Sequence, residues 1–109
     1  MIDLSLIIPC FNEASHFEDK VKAIYNALDL LKIHYEIIFV DNGSRDSTLS
    51  LIKKRCEAAQ QFRWLEHRYN EGRGKSVADG IRAAKGEVVG FIDIDLEVDI
   101  FRSSNSMNI

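Results

Sequence analysis

Four short apolar runs punctuate the chain: Leu4-Ser5-Leu6-Ile7-Ile8, Tyr35-Glu36-Ile37-Ile38-Phe39-Val40, Phe62-Arg63-Trp64-Leu65-Glu66 and Val88-Val89-Gly90-Phe91-Ile92. Each has the length of a strand, and the last is apolar enough for a strand buried on both faces. The first stops at Pro9, the only proline, where a ladder donor disappears. Between the runs the period changes. Phe17, Val21, Ile24, Leu28 and Leu31 recur every three or four residues and predict a helix over about residues 16–32, opened by the capping box Ser15-x-x-Glu18. Leu49, Ile52, Cys56 and Ala59 mark a second amphipathic helix, with Asp46, Ser47 and Thr48 available as caps. Val77, Ile81 and Ala84 mark a third over residues 75–85, with Gly86 placed as a C′ residue before the central strand. The order β-α-β-α-β-α-β predicts an α/β fold, a mostly parallel sheet with helices on both faces and right-handed crossovers. Residues 101–109, rich in Ser and Asn, follow neither period and read as an irregular tail after a truncated domain of residues 1–100.

In such a sheet, ligands bind in the crevice outside the carboxyl ends of the strands, so polar residues there face a ligand rather than the core. Asp93 and Asp95 stand one residue apart just past the fourth run. Two ionised carboxylates that close favour a cation between them, and hard oxygen donors point to Mg²⁺ or Mn²⁺ bridging a diphosphate. The same two acids also fit a solvated strand-to-loop turn. Pro9-Cys10-Phe11-Asn12-Glu13 follows the first strand, where Asn12 and Glu13 can reach a ribose or base edge; Asn12 also suits a helix cap. After the second strand, Asp41-Asn42-Gly43-Ser44 offers a carboxylate to a base N–H or a ribose hydroxyl, or forms an Asx-type turn. Asn70-Glu71-Gly72-Arg73-Gly74-Lys75 combines glycines, an amide and two cations before a helix N-terminus, which suits a diphosphate and equally an ordinary charged loop.

Composition narrows the field. A chain of 109 residues is one domain, small for an α/β enzyme that must hold two substrates. Net charge is −3 with the signs interspersed, so nucleic acid is not an expected partner. Cys10 and Cys56 lack C-x-x-C spacing and read as reduced thiols of a cytoplasmic protein. No basic leader opens the chain, and no apolar stretch approaches the ~18 residues of a membrane span. Gly74-Lys75-Ser76 resembles the end of a phosphate-binding P-loop, but Tyr69 stands where that motif needs its first glycine. The first strand is not followed by G-x-G-x-x-G, which counts against a dinucleotide-binding unit. His16, His34 and His67 have no metal spacing and read as surface or capping residues.

Taken together, the four loops resemble family 2 glycosyltransferases of the GT-A fold group, which includes the dolichyl-phosphate and polyprenyl-phosphate sugar synthases. The resemblance runs from about Leu4 to Glu97. It rests on Ile7-Ile8-Pro9-Cys10-Phe11-Asn12-Glu13, on residues 40–48, on Asn70-Glu71-Gly72-Arg73-Gly74-Lys75-Ser76 and on Asp93-Ile94-Asp95-Leu96-Glu97. It implies that Pro9, Asn12, Glu13 and Asp41 line a nucleoside pocket. Asp93 and Asp95 would be the D-x-D pair holding Mg²⁺ or Mn²⁺ on the diphosphate of a UDP- or GDP-sugar, with Asn70 and Lys75 on the phosphate side. Asn42 departs from the pattern, since many members carry a second aspartate there, and Ile94 stands where a small residue is common. In the family the acceptor site lies further along the chain, so the sequence resembles the donor-binding half and holds no acceptor-side base. Two rival readings are a non-catalytic nucleotide-binding module and a receiver-type phosphoacceptor domain. The second needs an acidic pair where this chain has Cys10-Phe11-Asn12.

Overall fold

The computed structural model describes residues 1–94; Asp95, Glu97 and the expected tail lie outside them. The elements are β1 (Leu4–Cys10), α1 (Phe17–Asp29), β2 (Tyr35–Asn42), α2 (Thr48–Ala58), β3 (Phe62–His67), α3 (Arg73–Ala83) and β4 (Val88–Phe91). They build a sheet of order β3-β2-β1-β4 in which every pairing is parallel. The chain steps outward from β1 to β3 and then crosses back to place β4 on the other side of β1. That reversal opens a crevice above β1 and β4, where open α/β sheets take their ligands.

Strand alternation sends side chains to two faces. Leu6, Ile8, Ile37, Phe39 and Phe62 pack under Phe17, Val21, Ile24 and Leu28 of α1 and Ile52 of α2. Ile7, Ile38 and Val40 face the other way, against Ala83, Ala84 and Val89. The expected helices on both faces are thus present, two on one side and α3 on the other. Burying each of these large side chains is worth about 1.5–3 kcal/mol, so the two faces carry most of the stability.

Several local expectations give way. β1 runs through Pro9 to Cys10. Ile92 N–H donates to the Ile7 carbonyl at 3.0 Å, so Ile7, and two residues on Pro9, turn their backbone toward β4. The β4 register ends at Ile7↔Phe91, and the missing donor of Pro9 therefore meets no strand among the described residues. The capping box does not form: His16 is the N-cap of α1 without a side-chain bond, and Glu18 instead meets Arg55 of α2 at 3.2 Å. α3 starts two residues early and ends at Ala83, with Ala84 already extended, so Gly86 is no C′ residue. Its value is closeness, since a Cβ there would lie 2.7 Å from the Ser5 nitrogen. Nor is β4 central. It pairs only with β1 among the described residues, and Val88 and Phe91 are 38% and 45% exposed.

The amino ends of the strands are closed by a polar cluster. Glu36, 2% exposed, accepts hydrogen bonds from Ser5 Oγ at 2.6 Å, the Lys85 amide at 2.8 Å and Arg63 Nε at 2.9 Å. Burial alone would raise its carboxyl, but those bonds, from Ser5, Lys85 and Arg63, outweigh it and hold the group below its ordinary value.

Candidate functional site

Because the strands are parallel, their carboxyl ends lie on one rim. The loop after β1 is stitched there to the loop after β2. Asn12, at φ 53°, takes the left-handed conformation that Asn tolerates. Its N–H donates to Ser44 Oγ at 2.9 Å, and its Oδ1 accepts from the Arg45 amide at 2.8 Å. The Glu13 amide donates to Thr48 Oγ1 at 2.8 Å and the Ala14 amide to Asp46 Oδ2 at 3.2 Å. Asn12 thus ties two loops together rather than capping α1.

Asp41, the penultimate residue of β2, has its side chain turned inward, 2% exposed. Oδ2 accepts from the Ser44 amide at 3.3 Å, while Oδ1 is buried without a hydrogen-bond partner. An orphaned buried acceptor costs about 1–3 kcal/mol, which a ligand N–H or hydroxyl would recover.

Beside it Asn42 binds the loop after β3. Its Oδ1 accepts from the Glu71 amide at 2.9 Å, and its Nδ2 donates to Asn70 Oδ1 at 2.9 Å. Asn70 Oδ1 also accepts from the Gly72 amide at 2.8 Å. The two backbone donors fix which end of each carboxamide is oxygen. His67 Nδ1 lies 3.0 Å from Asn42 Oδ1, and Nε2 lies 2.8 Å from Asp79 Oδ2. The ring is no surface residue, since its side chain is only 8% exposed. Asp79 is drawn down to about 2, by His67 first; burial opposes this, and the bonds from Arg82 and Lys75 add to His67 in outweighing it.

This arrangement separates the two cations of the loop. Lys75 Nζ lies 3.2 Å from Asp79 Oδ1, along α3 and away from the crevice. Arg73, the first residue of α3, faces the crevice with its Nε 2.6 Å from Asp93 Oδ1 and its guanidinium 5.5 Å from the Phe91 ring centroid.

The result is a cleft of about 180 Å³ walled by Pro9, Phe11, Glu13, Asn42, Asn70, Arg73 and Asp93, with Cys10 at its base. Four expected residues, Pro9, Glu13, Asn70 and Asp93, line it. Asn12, in the loop after β1, Asp41, near the end of β2, and Lys75 do not line it, and Asp95 lies outside the described residues. Phe11, Asn42 and Arg73 are the wall residues not singled out from sequence. Phe11 and Arg73 carried a signal within their motifs, an aromatic beside Asn12 and a cation at a helix start. Asn42 was marked only by its departure from the family pattern. A larger hollow of about 630 Å³ lies at the amino ends, but Glu36 and Arg63 on its wall are already paired, at 2.7 Å.

No group of three or more metal-type side chains occurs among the described residues. A cation carried on diphosphate oxygens and water needs only one or two protein carboxylates, and Asp93, a hard donor on the cleft wall, fits that role.

The chain resembles known proteins along most of its length. It is 35% identical over 96 residues to an uncharacterized glycosyltransferase, sll0501, of Synechocystis sp., covering 88% of this chain and 30% of that protein. It is 35% identical over 101 residues to the dolichyl-phosphate beta-glucosyltransferase of Dictyostelium discoideum, covering 86% and 31%. It thus spans about a third of the length of these relatives. Among solved structures, the mannosyltransferase PcManGT from Pyrobaculum calidifontis, in complex with GDP-Man and Mn²⁺, superposes with TM-score 0.70 at 26% identity over 84% of this chain and 27% of that one. S. aureus TarS residues 1–349, in complex with UDP-GlcNAc, shares the fold, with TM-score 0.73 at 20% identity over 96% and 30%. No helix of the described residues is long and apolar enough to cross a membrane. With the profile of that family matching residues 5–100, the chain belongs to glycosyl transferase family 2.

Proposed function

We propose that the chain is the donor-binding portion of a glycosyltransferase that moves a sugar from a nucleotide-diphospho-sugar to an acceptor such as polyprenyl phosphate or a glycan. The observation that carries this is the pairing of an unsatisfied buried acceptor, Asp41 Oδ1, with a carboxylate at the cleft, Asp93, on the same rim of the sheet. Asp41 accepts from the base or ribose, beside Pro9, Asn12 and Glu13. Asn70 sits on the diphosphate side, with Lys75 joining it only on leaving Asp79. Asp93 and Asp95 hold Mg²⁺ or Mn²⁺, which when bound supplies neutralisation of charge on the leaving diphosphate. The names of the Dictyostelium relative and of an Aeromonas hydrophila relative, an undecaprenyl-phosphate 4-deoxy-4-formamido-L-arabinose transferase 31% identical to this chain, favour a polyprenyl phosphate acceptor. The Mn²⁺ and GDP-Man of the Pyrobaculum structure favour a divalent ion. The two cysteines, neither in a disulfide, favour the cytoplasm as its compartment.

The chain's own part in the reaction is to hold and orient. Asp41 and the Asn12 loop fix the nucleoside, and the Asn42 and Asn70 carboxamides fix the phosphate-side loop. Titration calorimetry with UDP and GDP, each with and without Mn²⁺, is the test. Binding is expected only with the ion. Asp93→Ala or Asp95→Ala abolishes that dependence, whereas Asp41→Ala weakens binding and leaves it intact. Equal binding without metal would remove the D-x-D assignment and leave a nucleotide-binding module.

A further inference from the structure

Arg73 and Asp93 face each other across the cleft, one on the first residue of α3 and the other just past β4. The guanidinium meets Asp93 Oδ1 at 2.6 Å and lies over the Phe91 ring. Their side chains are 54% and 34% exposed, so water reaches both and the contact can exchange. A cation that binds Asp93 through oxygen must compete with Arg73 for the same lone pairs, because a carboxylate engaged by a guanidinium is a poorer donor to a metal. Loop chemistry also gives Arg73 somewhere else to go. It opens a helix whose N-terminal amides attract phosphate, and it directly follows Gly72, at φ 92° with open space where a side chain would stand.

We propose that Arg73 is a built-in counter-cation. It occupies Asp93 while the cleft is empty, yields to the divalent ion that arrives with a nucleoside diphosphate, and then pairs with that diphosphate. The inference rests on the assignment of Asp93 as a cation ligand. Its consequence is a reversal of sign: the same arginine opposes the free ion and favours the ion–nucleotide complex. Free metal then binds poorly, and the cleft fills with ion and donor together.

The test measures Mn²⁺ affinity by the loss of the free-ion electron spin resonance signal, with and without UDP, on the 109-residue chain. Arg73→Gln should bind free Mn²⁺ about two- to fivefold more tightly than wild type, the range that a partly exposed ion pair commands. The same variant should bind Mn²⁺ with UDP more weakly. Arg73→Lys, which keeps the charge but loses the planar fork, should move both affinities in the same directions by less. If Arg73→Gln leaves free Mn²⁺ affinity unchanged while Asp93→Asn removes it, the ion pair is incidental and the proposal falls with the cation site intact. If Asp93→Asn binds Mn²⁺ as wild type does, the cation assignment is wrong and the proposal falls with it.

Discussion

Asn42 places three hydrogen bonds on one carboxamide, two accepted and one donated, and so joins β2, β3 and the loop that leads to Arg73. An aspartate at this position would lose the donor to Asn70 Oδ1 and set a second carboxylate next to Asp41. Asn42→Asp is therefore expected to loosen the loop, costing about 1 kcal/mol and speeding hydrogen exchange at the Glu71 and Gly72 amides. Below it, Asp79 titrates at about 2 in the folded chain, under its ordinary value of 3.8. A depressed folded value means that its contribution is complete above pH ~4 and is lost as pH falls toward 2. Urea unfolding should thus show wild type more stable than Asp79→Asn at pH 7, with the gap narrowing steadily as pH falls from about 4 toward 2. Asp41 and Asp93 stood out as single residues, because an acid at the end of an apolar run falls on the rim where parallel strands finish. His67 was not, since its partners Asn42 and Asp79 come from other elements and no local spacing announces them.

At the scale of elements, the seven segments follow from periodicity, and their ends do not. The capping box gave way because Glu18 pairs with Arg55 across to α2, and Pro9 stayed in β1 because its edge meets no partner there. Both outcomes depend on which element lies alongside, which a window of sequence cannot contain. Packing between elements also dictates one glycine. Gly43 has φ 79°, and a Cβ on it would stand 2.5 Å from the Tyr69 backbone. Gly43→Ala should separate the loops after β2 and β3, lowering stability by about 1–3 kcal/mol and weakening nucleotide binding in a titration. At the other rim, Glu36→Gln takes the charge from a cluster that joins β1, β2, β3 and the α3–β4 connection. The expected loss is about 1–3 kcal/mol by urea unfolding, with metal-dependent nucleotide binding unchanged under native conditions.

For the whole molecule, the proposed function gives the described residues the donor and leaves the acceptor to a longer chain. Orienting an acceptor against the anomeric carbon is worth roughly 7–11 kcal/mol of barrier, so the 109-residue chain is expected to show no sugar transfer to polyprenyl phosphate in a radiolabelled donor assay. Turnover matching that of a longer relative would put the acceptor site within the loops described above. The sheet order bears on how the molecule comes into being. β1 is bonded on both sides, Leu4 to Tyr35 of β2 and to Val88 of β4. A chain emerging from its amino end can close β1 on β2, and β2 on β3, long before β4 exists, because nearby pairings close first and distant ones wait. The residues proposed to hold the nucleoside, Asn12 and Asp41 among them, are then assembled while Asp93 is still unmade. A nascent chain stalled after β3 should already retain uridine, which carries no diphosphate, weakly and equally well in the presence of a chelator.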